Sequence, residues 1–256
     1  MVGSRWRLAA ELRRWRRAGQ RAILWWRDDD ARGPSPALER LLALSDRRRT
    51  PLTLAVVPDH RLGDLASALA LRPWVVAVQH GVDHLNRRQG AVAGEMPSGW
   101  TRQEIETALS ASWAHLAALP GARRVFVPPW NDVHDALPEA LRRGRYEGLS
   151  AWGEVRPAGG SFRVDAHIDV MRWRKGPRFR GAARLRAALT KALRRRRLTG
   201  LWDAPIGVLT HHLDHDRAAW AFLEAFLAWS SDRPELAWAS LGELLAARIE
   251  LTSTAA

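Results

Sequence analysis

The feature that most constrains this chain is a repeated alternation, in which short apolar runs end in polar clusters and are followed by segments of helical period. That is the pattern of successive β-α units. The runs at 22–26, 52–57, 75–79, 124–127, 148–151, 164–168 and 206–209 read as strands, and 102–119, 178–197, 217–230 and 241–250 read as helices. No internal repeat and no low-complexity linker interrupts them. At 256 residues the chain is long enough for one large α/β core and short for two enzyme domains. One catalytic domain over 1–256 is expected, with a basic N-terminal helix at 1–20 and C-terminal helices within 217–256 closing the barrel.

Composition narrows the chemistry. With no cysteine, thiolate catalysis, disulfides and Cys-ligated zinc are excluded, so any metal must be held by His and carboxylate. The hydrophobic fraction of 46% and charged fraction of 26% are those of an ordinary soluble protein. No stretch approaches the roughly eighteen apolar residues that a membrane span needs. The chain opens with Arg5, Arg7, Arg13, Arg14, Arg16 and Arg17 and has no apolar signal core or small-residue cleavage site there, so a cytoplasmic location is expected. The formal charge of +13 comes almost wholly from arginine. It suits an anionic partner such as nucleic acid, lipid head groups or acidic glycan, and equally an arginine-rich solvated surface.

The reactive residue types fall at the ends of the strands. Asp28, Asp29 and Asp30 follow the first, His80 and His84 the third, Pro128, Pro129 and Trp130 the fourth, and His211 and His212 the last. Catalytic groups in parallel α/β folds collect at the C-terminal strand ends, so these segments are expected to converge. His80 and His84 are four apart, which in a helical turn puts both imidazoles on one face. Alone, such a pair is more often two surface or half-buried histidines than a metal site. Joined by Asp30 it makes a two-imidazole, one-carboxylate donor set with positions left open for water and substrate.

Three consecutive aspartates repel one another, and a divalent cation offsets that repulsion; the alternative is a solvated acidic turn or a helix N-cap. A hydrolase of this kind needs a base to take a proton from the attacking water and an acid to give one to the leaving amine. Asp29 and His211 are the candidates. His211, His212 and His215, interleaved with Asp214 and Asp216, form the densest titratable cluster, in which His215 and Asp216 are read as capping a following helix.

Across 25–213 these segments resemble, in order and spacing, the polysaccharide deacetylase family, the NodB-homology enzymes of carbohydrate esterase family 4. Arg27-Asp28-Asp29-Asp30-Ala31 is similar to the family's Thr-Phe-Asp-Asp-Gly motif, which implies Asp29 as general base and Asp30 as metal ligand. His80-Gly81-Val82-Asp83-His84 resembles its His-x-x-x-His motif, implying that both histidines are ligands. Val127-Pro128-Pro129-Trp130 is similar to its Arg-x-Pro-Tyr motif, in which the aromatic lines the groove and its backbone N–H helps bind the oxyanion. Here Val127 stands where the family has the arginine that holds the catalytic aspartate, leaving Arg27 or Arg172 to replace it.

The segment 165–173, with His167, Asp169 and Trp173, stands where the family has an Asp and Trp motif that orients the catalytic histidine and walls the site. Leu209-Thr210-His211 matches the closing Leu-x-His motif, implying His211 as general acid, with His212 a neighbouring stand-in. The resemblance implies a distorted (β/α) barrel of about seven strands, one divalent metal, usually zinc, and removal of an N-acyl group, acetyl above all, from a sugar or polysaccharide. Fourteen tryptophans suit a glycan enzyme, although most are expected in the core.

Two other classes of function compete. The missing motif arginine allows a family member that binds a glycan or lipid-linked sugar without hydrolysing it. The charge and the run Arg194-Arg195-Arg196-Arg197 allow a nucleic-acid binder or nuclease, but no nucleic-acid motif accompanies them. Trp6, Leu8, Leu12 and Trp15, and separately Leu185, Leu189 and Leu193, recur at helical spacing among arginines. These are either amphipathic faces for an anionic membrane or outer barrel helices packed on the sheet.

Overall fold

A computed structural model describes residues 2–58, 62–90, 92–156 and 162–246. In chain order its elements are α1 (Val2–Arg17), β1 (Ala22–Ala31), α2 (Pro36–Arg48), β2 (Leu52–Val56), α3 (Gly63–Leu69), β3 (Val75–His80), α4 (Arg102–Leu116), β4 (Arg123–Val127), α5 (Leu137–Arg143), β5 (Gly148–Leu149), β6 (Ala166–Asp169), β7 (Met171–Arg172), β8 (Arg178–Phe179), α6 (Ala182–Thr199), β9 (Ile206–Thr210), α7 (Arg217–Ser231) and β10 (Leu236–Trp238). Seven parallel strands run in the order β5-β4-β3-β2-β1-β9-β6. The two ends of this sheet meet: the Leu149 amide donates to the Phe162 carbonyl at 2.9 Å and the Ala166 amide to the Ala151 carbonyl at 3.0 Å. The result is the distorted (β/α) barrel that the motif order implies.

Strand alternation sorts β1 into an inner and an outer row. Trp25 packs inside with Val164 and Leu244, while Leu24 and Trp26 belong to the outer clusters beneath the helices. Leu241 and Leu245 fill the bottom of the barrel against Ala55, Val78, Val125 and Val127. Outside, Leu38, Leu41 and Leu42 of α2 meet Leu223 and Leu227 of α7. Each such buried leucine contributes about 2 kcal/mol. Helix α2 starts where it does because Ser35 accepts the Leu38 amide and Pro36 occupies the first turn.

The structure corrects several boundaries. The three aspartates do not follow the first strand but lie within it, because β1 is held by β9 as far as Asp28 and by β2 as far as Ala31. The helix expected from residue 178 begins at Ala182, since Arg178–Phe179 pairs antiparallel with Met171–Arg172. Strand β10, unread in the sequence, extends the sheet beside Ala22–Leu24. The period read at 241–250 is helical over 241–246, and the rest lies outside the described residues.

The two basic amphipathic segments are packed helices. Leu8, Leu12 and Trp15 of α1 and Leu185, Leu189 and Leu193 of α6 are buried with Ile168 and Val208 of the barrel wall, leaving only Trp6 of that set exposed, at 65%. Within the arginine run, Arg196 is buried and donates to the carbonyls of Ala204 and Pro205, and Arg197 pairs with Glu11. Half of that run is therefore committed to holding the fold. Among the described residues no helix is long and apolar enough to cross a membrane.

Candidate active site

The barrel gathers the reactive residues at the C-terminal mouth of its strands, and the end of β1 determines how. Asp30 has a φ of 72° and the register of β1 on β2 shifts between Asp28 and Ala31. A bulge of this kind breaks the strict alternation of side chains. Asp29 stays in the inner row with Arg27, and Asp30 turns toward β3 to meet two histidines. Asp28 points the other way, accepting from Thr210 Oγ1 at 2.6 Å and from the His212 amide at 3.1 Å, and pairs with His212 Nδ1.

His80 Nε2 lies 3.1 Å from Asp30 Oδ1, and His84 Nε2 lies 3.0 Å from the same oxygen. His80 Nδ1 donates to the Val127 carbonyl at 3.0 Å, which directs Nε2 at the aspartate. The pair does not sit on a helical turn, as its spacing suggested. His80 ends a strand, Gly81 has a φ of 71°, and His84 itself has a φ of 60°. What shapes this loop is Glu95, whose carboxylate is buried and accepts the amides of Val82 at 2.8 Å, Asp83 at 2.9 Å and His84 at 2.6 Å. A Cβ on Gly81 would stand 2.5 Å from Glu95 Oε1 and 2.6 Å from Pro129 Cγ, so only glycine fits. Sequence reasoning missed Glu95, and the glycine between the histidines was its one trace.

Electrostatics favour a cation here. Burial alone would raise the Asp30 pKa, yet the hydrogen bonds from His80 and His84 outweigh it and hold the carboxyl well below the usual carboxylate range. Burial would lower His80, but the charge of Asp29 and the bond to Asp30 leave it raised. With Nδ1–H committed to Val127, His80 can donate to Asp30 only as an imidazolium, whereas a metal ion would take the same lone pair. Ligand atoms at zinc bond lengths stand roughly 3.3 Å apart around a tetrahedral ion. The donor atoms of Asp30, His80 and His84 all lie within 4.8 Å of one another, wider than that spacing but near enough for a small inward shift of the side chains to close all three on one divalent ion.

Of the two candidate arginines, Arg27 is the one that grips Asp29. Its Nε lies 2.9 Å from Asp29 Oδ1 and its Nη2 3.0 Å from Oδ2, while Nη1 reaches across the barrel to Ser150 Oγ at 2.7 Å and the Ser150 carbonyl at 3.0 Å. The other candidate, Arg172, sits in the β7–β8 hairpin with its Nε unbonded. Beyond Asp29, His211 Nε2 lies 4.0 Å from Oδ2, and His211 Nδ1 lies 4.0 Å from Asp169 Oδ1. Trp173 donates to Asp169 Oδ2 at 2.8 Å and sets its ring edge-on to His211 at 4.5 Å. Burial raises the Asp169 pKa more than these neighbours lower it.

The remaining residues divide by position. Pro129 and Trp130 form a one-turn 3₁₀ helix with Asn131, in which Trp130 has a φ of 54°, stays 43% exposed and packs on His84 at 4.8 Å. Asn131 Oδ1 accepts from Arg27 at 3.1 Å. Of the seven described non-glycine residues with positive φ, four are Asp30, His84, Trp130 and Asn131, so backbone strain concentrates at this mouth. His212 is sequestered behind β1 with Asp28 rather than beside His211. Asp216 caps α7 by accepting the Ala219 amide at 2.8 Å, as read from the sequence. His215 does not cap it: its ring packs on Trp220, and burial pushes its pKa down to about 4.

No family model matches the chain, and no curated protein matches it. Solved structures do. A Mycobacterium smegmatis chain assigned as a polysaccharide deacetylase superposes with a TM-score of 0.65 at 16% identity, covering 91% of each chain. The family 4 carbohydrate esterase from Streptomyces lividans, solved with acetate, gives 0.54 at 12% identity, covering 88% of this chain and 94% of its own. The peptidoglycan deacetylase PdaC from Bacillus subtilis gives 0.54 at 13% identity, covering 92% of this chain and 95% of its own. These likenesses define the class: this is the polysaccharide-deacetylase fold, carried by a sequence far diverged from theirs.

Proposed function

We propose that this chain is a metal-dependent hydrolase that removes an N-acyl group, acetyl above all, from an amino sugar in a glycan. The observation that carries the reading is the placing of Asp29, held by Arg27 between the Asp30-His80-His84 cluster and His211. Divalent metal, zinc by the nitrogen and oxygen donors, would be held by those three residues. When bound, such an ion supplies the Lewis acidity that polarises the amide carbonyl and acidifies water.

The chain's own residues supply the proton transfers. Asp29 takes the proton of the attacking water, and Arg27 keeps its carboxylate aimed. His211, backed by Asp169 and walled by Trp173, gives a proton to the departing nitrogen. The backbone of Trp130, presented by its left-handed turn, faces the oxyanion, and the exposed rings of Trp130 and Trp173 offer stacking surfaces for a sugar. A silent glycan binder was suggested by the missing motif arginine, and Arg27 removes that motive.

The experiment is acetate release from N-acetylated oligosaccharides by the zinc-loaded protein, with the Asp29→Asn variant as control. Turnover that survives in the variant, or its absence in both across chitin- and peptidoglycan-derived substrates, rejects the proposal.

A further inference from the structure

Helix α1 lies along α6, and α7 stands apart from it, which leaves an apolar slot of about 980 Å³ on the outside of the barrel. Its volume is at the upper end of ordinary ligand pockets. Phe222, Phe226 and Trp229 of α7 line one wall as a ladder, with ring centroids 5.6 Å and then 6.0 Å apart, and Phe179 of β8 continues it 5.4 Å from Phe222. Leu8 and Leu12 of α1 face them. The three α7 aromatics are only half-buried, Trp229 beneath the Arg233 guanidinium at 5.4 Å and Phe222 and Phe226 facing the slot.

The rim is cationic. Arg5, Arg13 and Arg186 border the slot, and among the described residues the side chains of Arg5 and Arg13 make no ion pair or hydrogen bond. Arg186 Nε reaches Ser4 Oγ at 3.3 Å, so Arg5 and Arg186 stand at one end, the end that also carries Phe179. The floor includes Ile168 and Val170, which flank Asp169 on the opposite face of the same segment. The slot and the candidate active site thus share a wall.

We propose that this slot binds one hydrocarbon chain of an anionic single-chain lipid, taken up as a monomer with its head at Arg5 and Arg186. A continuous aromatic and aliphatic channel matches a linear chain, and unneutralised guanidinium groups at its rim match a carboxylate or phosphate head. Ala225, exposed on α7 and lining the slot, is a place to fill it without touching the core.

The test is calorimetric titration of the full chain with dodecyl phosphate and with dodecyl maltoside, each below its micelle concentration, and with butyl phosphate. Dodecyl phosphate should bind saturably at one site and butyl phosphate should not. Ala225→Trp should weaken dodecyl phosphate by about tenfold or more, and Arg5→Glu should weaken it by about tenfold at low salt while leaving the maltoside unchanged. Circular dichroism confirms that both variants fold. The idea is overturned by an absence of saturable binding, by equal affinity in Ala225→Trp, by maltoside binding as tight as the phosphate, or by attachment to phosphatidylglycerol vesicles without monomer uptake. No turnover is measured, so failure here leaves the deacetylase reading standing.

Discussion

Arg27 and Asp29, two residues apart on the inner row of one strand, form a buried ion pair with Nε 2.9 Å from Oδ1 and Nη2 3.0 Å from Oδ2. The same guanidinium ties β1 to Ser150 and Asn131, so it both fixes the carboxylate and braces the barrel mouth. Arg27→Lys keeps the charge and loses the two-point grip. Its kcat for deacetylation should fall by about 10²-fold with KM little changed and metal content intact, since the base is misaimed rather than the substrate released. An unchanged kcat in steady-state kinetics would show that Arg27 does not position Asp29.

Asp29→Asn and His211→Ala should each abolish deacetylation with metal still bound, a general base or acid being worth about 10²- to 10⁴-fold. Losses below about tenfold reject the roles. His212 behaves differently because it is buried against Asp28 on the far side of β1. His212→Ala should lower the unfolding free energy by about 3 kcal/mol, the usual cost of breaking a buried pair, and a normal melting curve with dead activity would instead make His212 the acid.

His80→Ala should lose the metal, read by elemental analysis, and unchanged stoichiometry sinks the site. Glu95 is not one of the proposed ligands, yet it holds the amides of Val82, Asp83 and His84. Glu95→Ala frees that loop and should weaken zinc about 10- to 100-fold, the range typical of outer-shell partners. Competition with a chromophoric chelator measures it, and wild-type affinity would reduce Glu95 to a packing role.

His167 links pH to stability. Its Nδ1 accepts the Gly207 amide at 3.0 Å, its Nε2 donates to the Glu154 carbonyl at 2.9 Å, and Arg196 lies beside it. Burial first, and then the charge of Arg196, push its pKa down to about 4 from an ordinary 6.5. The unfolded chain therefore binds the proton first: this contribution is complete above pH 6.5 and is lost as pH falls toward 4. At pH 5 the loss should be on the order of 2 kcal/mol. Urea midpoints at pH 7 and pH 5 should differ less in His167→Gln, and an equal drop in both proteins rejects the assignment.

Local pattern was enough to reveal seven strands and to put Asp29, Asp30, His80, His84 and His211 at one end of them. Strand runs and residue types are short-range properties, and parallel topology sends every strand's C-terminal end to the same face. What locality could not supply were the partners. That Arg27 rather than Arg172 meets Asp29 follows from barrel closure, which brings Ser150 and Asn131 within reach of its other nitrogens. The turn of Asp30 toward β3 depends on a bulge set by pairing with β2, and the path of the histidine loop depends on Glu95, eleven residues beyond His84. The exclusion of His212 likewise rests on which face of β1 carries Asp28. Composition and spacing specify which groups are present, but hydrogen-bond and ion-pair partners distant in sequence are chosen only when the tertiary packing buries them together and leaves each polar group a single neighbour to satisfy it.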